Sequence, residues 1–219
     1  MNLVDSFVGI FSCWINTTTF VFFNTLFDAT DITPNDVLHL ELAPFINPNQ
    51  FAILQESNFP GSAINTTTAL LTDGNWHHIL ASWDFSGPSF VGGIYIDDIY
   101  DTIASPSPYT TGTIPWSTTN SIQILNRLDL GAPWFGCVSQ FYLNTTEFLD
   151  FSIVSNRRKF ISGTITQVDL GSNGQLPTGT APSFYFMGDP TAFISNQGTF
   201  DGTFSVVNTF VGCATAPPQ

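Results

Sequence analysis

Short runs of β-branched and aromatic residues recur along the chain, each closed by Gly, Pro, Asn or Asp, and amphipathic helical spacing is scarcely seen. Strands are predicted at Gly9–Asn16, Phe20–Phe27, Val37–Leu42, Phe51–Gln55, His77–Trp83, Gly92–Ile96, Ser121–Leu125, Phe135–Tyr142 and Ser183–Met187. Prolines at 34, 44, 48, 60, 88, 106, 108, 115 and 133 fall between these runs, where they cost no ladder hydrogen bond. Strands that follow one another without intervening helices make an all-β, two-sheet antiparallel sandwich, not βα units. A short helix is expected near Thr145–Ile153, and residues 163–182, rich in Gly, Pro, Ser and Thr, are expected to form a loop. The expected division is a sandwich over 1–150 and a strand-bearing extension over 151–219, packed on the sandwich or completing it.

Composition narrows this picture. The 219 residues include 22 Phe, and charged residues are only 10%, well under the roughly 25% of an average soluble chain. Such a chain is not disordered. Its surface must be carried by Thr, Ser, Asn and Gly, which defends poorly against association and hints at protein partners or self-association. The net charge of −13 sits in residues 1–150, where Arg127 is the only base; residues 151–219 are balanced by Arg157, Arg158 and Lys159. An acidic chain of this kind is repelled by nucleic-acid phosphate and anionic lipid. The uncharged stretch from Ser6 to Phe27 contains Asn16, Thr17, Thr18, Thr19, Asn24 and Thr25, which oppose membrane insertion. No secretory signal is evident, so production in a reducing cytoplasm is expected.

Cys13, Cys137 and Cys213 form no CxxC pair. Buried free thiols are expected, with a Cys13–Cys137 bridge as the alternative. Three Asn-Thr-Thr triplets, at Asn16, Asn65 and Asn144, match the glycosylation sequon but read equally as strand and turn sequence.

The most informative stretch is Asp73-Gly74-Asn75-Trp76-His77-His78-Ile79-Leu80, followed by Tyr95-Ile96-Asp97-Asp98. Alternation from Trp76 puts His77 and His78 on opposite faces, so they cannot share one zinc ion. This stretch resembles the signature of laminin-G and pentraxin-like sandwiches of the concanavalin A-like class, with Asp98 where the family usually has Gly. Phe11-Ser12-Cys13-Trp14-Ile15 and Phe135-Gly136-Cys137-Val138-Ser139-Gln140-Phe141-Tyr142-Leu143 look like that family's early and closing strands. The resemblance covers roughly residues 9–150 and implies a jelly-roll sandwich. A second, narrower resemblance lies in Leu149-Asp150-Phe151-Ser152, Asn156-Arg157-Arg158-Lys159-Phe160-Ile161, Val168-Asp169-Leu170-Gly171 and Pro177-Thr178-Gly179-Thr180-Ala181-Pro182 with Gly188-Asp189. These look like laminin-G-like proteins of tailed bacteriophages, which implies a non-enzymatic virion structural protein, a capsid decoration or a tail or fibre component.

Several constellations could carry chemistry. The laminarinase-like E-x-D-x-x-E pattern of paired carboxylates is missing, since Glu41, Glu56 and Glu147 stand apart. No G-x-S-x-G elbow is present, and the expectation is that the chain is not an enzyme. Asp97, Asp98 and Asp101 could offer oxygens to calcium, which requires six to eight, or could form a solvated turn. Trp116 and Trp134, each beside a proline, are the candidate sugar-stacking residues of the alternative reading, a carbohydrate-binding adhesin or receptor-binding module. Arg157, Arg158 and Lys159 hold three of the four bases and are expected to meet an acidic patch, either of residues 1–150 or of a neighbouring virion subunit.

Overall fold

The computed structural model describes residues 3–18, 24–30, 36–43, 50–55, 62–65, 71–101, 103–105, 112–119, 121–126, 134–187, 193, 195–204 and 213–219. Its strands are β1 (Val8–Asn16), β2 (Asn24–Thr30), β3 (Asp36–Ala43), β4 (Gln50–Gln55), β5 (Ser62–Asn65), β6 (Trp76–Asp84), β7 (Val91–Ile96), β8 (Ile99–Tyr100), β9 (Ile103–Ser105), β10 (Ser121–Ile124), β11 (Cys137–Asn144) and β12 (Phe184–Phe186). One turn of helix, α1, spans Val154–Arg157. Two six-stranded antiparallel sheets result: the first in the order β12-β11-β1-β6-β7-β8, the second β10-β2-β3-β4-β5-β9. This is the two-sheet antiparallel sandwich expected from the strand pattern.

Period-two alternation decides which residues meet between the sheets. Phe11, Cys13 and Ile15 of β1, Ile79, Ala81 and Trp83 of β6, and Phe141 and Leu143 of β11 face inward. They meet Phe27 and Ala29 of β2, Leu38, Leu40 and Leu42 of β3, and Phe51 and Ile53 of β4. Aromatic rings knit the two layers: Phe11 stacks on Phe51 at 5.7 Å, and Phe27 meets Phe184 edge-on at 5.5 Å. Gly9 is required here, because a Cβ would lie 2.2 Å from the Trp83 ring.

The outer face of the first sheet is also buried. Ile10, Leu80, Tyr95, Tyr142 and Tyr185 point away from the sandwich core and are covered by Phe151, Phe160 and Leu170. Residues 145–182 therefore fold as a cap over this face. The cap holds no strand, and its short helix begins at Val154, beyond the Thr145–Ile153 stretch expected to be helical. Asn144 and Asp150 divert that stretch by accepting the Thr146 and Ser152 backbone N–H groups at 2.9 and 2.8 Å, which are turn bonds. Beyond the cap, β12 adds to the first sheet beside β11.

Candidate functional site

One end of the first sheet gathers the polar groups that the strand pattern singles out. Gly74, at φ +84°, turns the chain so that its N–H donates to the Thr17 carbonyl at 3.1 Å, and its own carbonyl accepts from Asn16 Nδ2 at 2.6 Å. The Asp73 carboxylate closes the turn, accepting from the Asn75 backbone and side-chain nitrogens at 2.8 Å each. The turn is thereby docked on the end of β1 and delivers Trp76 and His77 at the start of β6.

His77 joins two turns. Its Nδ1 lies 2.7 Å from Asp97 Oδ2 and its Nε2 lies 3.0 Å from Asp73 Oδ1. The other Asp97 oxygen accepts the His78 backbone N–H at 2.8 Å. Asp97 and Asp98 form the two-residue β7–β8 turn with φ of 50° and 68°, so Asp98 adopts the left-handed conformation where the resemblance would place Gly. The bond to Asp97 raises the His77 pKa, against partial burial and with help from Asp73. Partial burial opposes ionisation of Asp73, yet its bonds from Asn75 and His77 hold it below the usual carboxylate value. With both ring nitrogens engaged, His77 serves as a staple and has no lone pair free for general-base work.

His78 points the other way, as alternation requires. It is fully buried, its ring 4.9 Å from that of Trp14 and its Nε2 2.9 Å from Ser12 Oγ. Burial pushes its pKa down to about 3, against the pull of Asp97 and Asp98. It is a neutral core histidine.

The three candidate calcium carboxylates do not converge. Asp97 serves His77 and the His78 N–H, Asp98 binds two arginines, and Asp101 is buried. Among the described residues no group of three or more His, Cys, Asp or Glu is placed to hold a metal. The basic cluster meets its acidic partner within the chain: Arg157 Nε and Arg158 Nη2 each lie 2.5 Å from an Asp98 oxygen. Arg157 also caps the Phe151 carbonyl at 2.5 Å and sits 4.8 Å from the Tyr95 ring centre. Of the expected subunit contact, only Lys159 points to solvent.

The sugar-stacking expectation for Trp116 and Trp134 is corrected. Trp116 is wholly buried against Phe27, and Trp134 is 8% exposed within the same core. Their loops fold inward, so neither ring offers a face to a ligand. The cysteine expectation is corrected as well. Cys137 and Cys213 form a disulfide, while Cys13 is the buried free thiol, its ionisation suppressed by burial. Three cysteines allow three pairings, and spacing does not choose between them. Two of the sequon amides are occupied: Asn16 Nδ2 by Gly74 and Asn144 Nδ2 by Glu147, at 3.2 Å. The Asn65 side chain lies outside the described residues.

What the sequence did not single out is Trp76. Asn16 pairs with Trp76 on one side and Cys137 on the other, so the three form a row across the end of β6, β1 and β11. Residues 213–219 cross that row, held by the disulfide at Cys137 and by a bond from Trp76 Nε1 to Thr215 Oγ1 at 3.1 Å. Trp76 is half-buried, and exposed Asp73 and Asn75 stand beside it. The sequence places Trp76 just before the predicted His77–Trp83 strand and gives it no role; its partner lies 139 residues away.

No family model matches the chain, and no curated relative matches it. Among solved structures it is similar to a protein of Bacteroides ovatus described as a candidate carbohydrate binding protein. That likeness has a TM-score of 0.52 and 14% identity, over 85% of this chain and 47% of the other. It is similar also to domains LG4-5 of the mouse laminin alpha1 chain, with a TM-score of 0.48 and 16% identity over 64% of this chain and 36% of that one. A third is the Ruminococcus gnavus IT-sialidase CBM40 bound to alpha2,6 sialyllactose, with a TM-score of 0.43 and 8% identity over 60% of this chain and 71% of that one. The chain spans about half the length of the first of these and about a third of the second. At such identities the likeness is one of fold, and the fold of this chain is the jelly-roll sandwich of two antiparallel sheets.

Proposed function

We propose that this chain is a non-catalytic carbohydrate-binding module whose sugar contacts Trp76, Asn75 and Asp73 at the end of the first sheet. The observation that carries this reading is the half-open indole of Trp76 beside a carboxylate and an amide already fixed by mutual hydrogen bonds. Aromatic faces take the apolar face of a pyranose ring, while planar polar groups pair with its hydroxyls at little ordering cost. The sandwich shared with the Bacteroides ovatus protein supports it at the level of fold.

Catalysis has little to build on. Glu41 is buried at 1% exposure, and Glu147 is engaged by Asn144 and by Thr180 Oγ1 at 2.5 Å; Glu56 lies outside the described residues. The virion reading rests on the tract from Leu149 onward, the charge-poor surface, the missing catalytic motifs and the missing secretion signal. That tract is the cap, its two arginines are consumed by Asp98, and none of the neighbours named above is described as a phage protein.

A glycan array followed by titration calorimetry tests the proposal. A binding saccharide should lose at least about tenfold in affinity on Trp76→Ala, with far-UV dichroism unchanged. An empty array, or full affinity in that variant, would overturn it.

A further inference from the structure

The segment Cys213–Gln219 lies on the surface over the row Cys137, Asn16 and Trp76, yet little holds it there. Besides the disulfide, it has the Trp76–Thr215 bond, the Gln167 N–H donating to the Pro218 carbonyl at 2.8 Å, Gln219 Nε2 donating to Gln167 Oε1 at 2.7 Å, and a buried Pro217. The rest of the segment is exposed. The disulfide is reachable as well: Cys213 is exposed and Cys137 half-buried, in contrast to the sealed thiol of Cys13. Neither sandwich core depends on this segment, since no residue of 213–219 belongs to either buried cluster.

We propose that Cys137–Cys213 is a redox-operated clasp that keeps residues 213–219 over Trp76 and releases them on reduction. A dithiol reductant supplies the chemistry. Its thiolate attacks Cys213 Sγ and displaces the Cys137 thiolate, which takes up a proton. The second thiol of the reductant then breaks the mixed disulfide, leaving two protein thiols and the reductant oxidised to its cyclic disulfide. Two electrons and two protons pass to the protein. The neutral hydrogen bonds that remain contribute only about 1 kcal/mol each, too little to pin a seven-residue segment against its chain entropy. The clasp stands on this geometry alone and holds whether or not Trp76 binds sugar.

The test uses the full chain, oxidised and then treated with dithiothreitol, with the thiol count verified by mass. The other four tryptophans are buried, so collisional quenching by acrylamide reports on Trp76. Reduction should raise quenching severalfold and speed exchange of the Gln167 amide, which donates to the Pro218 carbonyl, while the thermal transition stays cooperative. Cys213→Ser should reproduce the reduced state without reductant, and Trp76→Phe should remove the quenching change. Unchanged quenching and protection after confirmed reduction would overturn the proposal. So would loss of near-UV dichroism in both reduced protein and Cys213→Ser, which would make the bond a structural staple, or an absence of the disulfide in air-oxidised protein.

Discussion

Asp98 and Arg157, 59 residues apart, are joined by a 2.5 Å bond that ties the cap to the β7–β8 turn. The Arg157 side chain is 12% exposed and that of Asp98 20%, so solvent screens the pair only in part. Arg158 and, most strongly, its bond hold the Asp98 carboxyl below the usual value, with Arg157 adding to the effect against partial burial. Reversing Arg157 to Glu places two carboxylates together beside Tyr95. The expected cost is about 1.5–3 kcal/mol of unfolding free energy, read from a urea midpoint. Because the acidic partner lies in the same chain, Arg157→Glu with Arg158→Glu should lower thermal stability without changing the oligomeric mass by light scattering. A lowered mass with unchanged stability would assign the cluster to an intersubunit contact instead.

Phe160 is wholly buried between Tyr142, at 5.2 Å, and Phe151, at 5.6 Å. If the cap is an integral layer, Phe160→Ala should cost about 3–5 kcal/mol, as deletion of a core aromatic does. It should do so in a single cooperative transition. A separate early transition affecting only far-cap amides in hydrogen exchange would show instead that the cap opens independently of the sandwich.

The strands that can be read from sequence are those that hold a run of β-branched and aromatic residues bracketed by turn residues. β1, β3, β4, β6, β7, β10 and β12 fall within a residue of their expected bounds for this reason. Strands β5, β8 and β9, of four, two and three residues, hold at most two β-branched or aromatic residues each and form no such run. β2 runs on to Thr30 where Asp28 had suggested an end. That carboxylate is tolerated inside a strand because His39 faces it across the ladder, with Nδ1 2.9 Å from Asp28 Oδ1. The site was half legible. The Asp-Gly turn and the opposed histidines follow from local chemistry, whereas the burial of Trp116 and Trp134 and the reach of Thr215 to Trp76 depend on loops returning from afar.

The two adjacent histidines should shape the pH dependence of stability from opposite sides. His78 is neutral in the fold with a pKa pushed down to about 3, against 6.5 for the free group. The unfolded chain therefore binds more protons between these values, and stability from His78 falls as pH drops from 6.5 toward 3. His78→Gln, which can still meet Ser12 Oγ, removes that titration. The acid limb of a urea-midpoint profile should be shallower in this variant than in the parent, and an identical slope would mean that the imidazole is hydrated.

His77 acts at the other limb. Its folded pKa lies above 6.5, so the folded state holds the proton more tightly than the unfolded chain. Its contribution is complete below 6.5 and is lost as pH rises through the raised value. The structural reason is donor number: the imidazolium offers an N–H to both Asp73 and Asp97, whereas neutral imidazole has one donor and must turn a lone pair toward the other carboxylate. The Asp73 contribution has the reverse sense, present above its ordinary 3.8 and lost as pH falls through its lowered value. His77→Gln presents amide hydrogens that do not titrate. From about pH 6 to about pH 9, the parent should lose stability while His77→Gln stays level, and exchange protection of the Asn75 and Asp97 amides should follow the same curve. A parent profile that is flat over this range, or a variant that declines in parallel, would show that His77 is not the group joining the two turns.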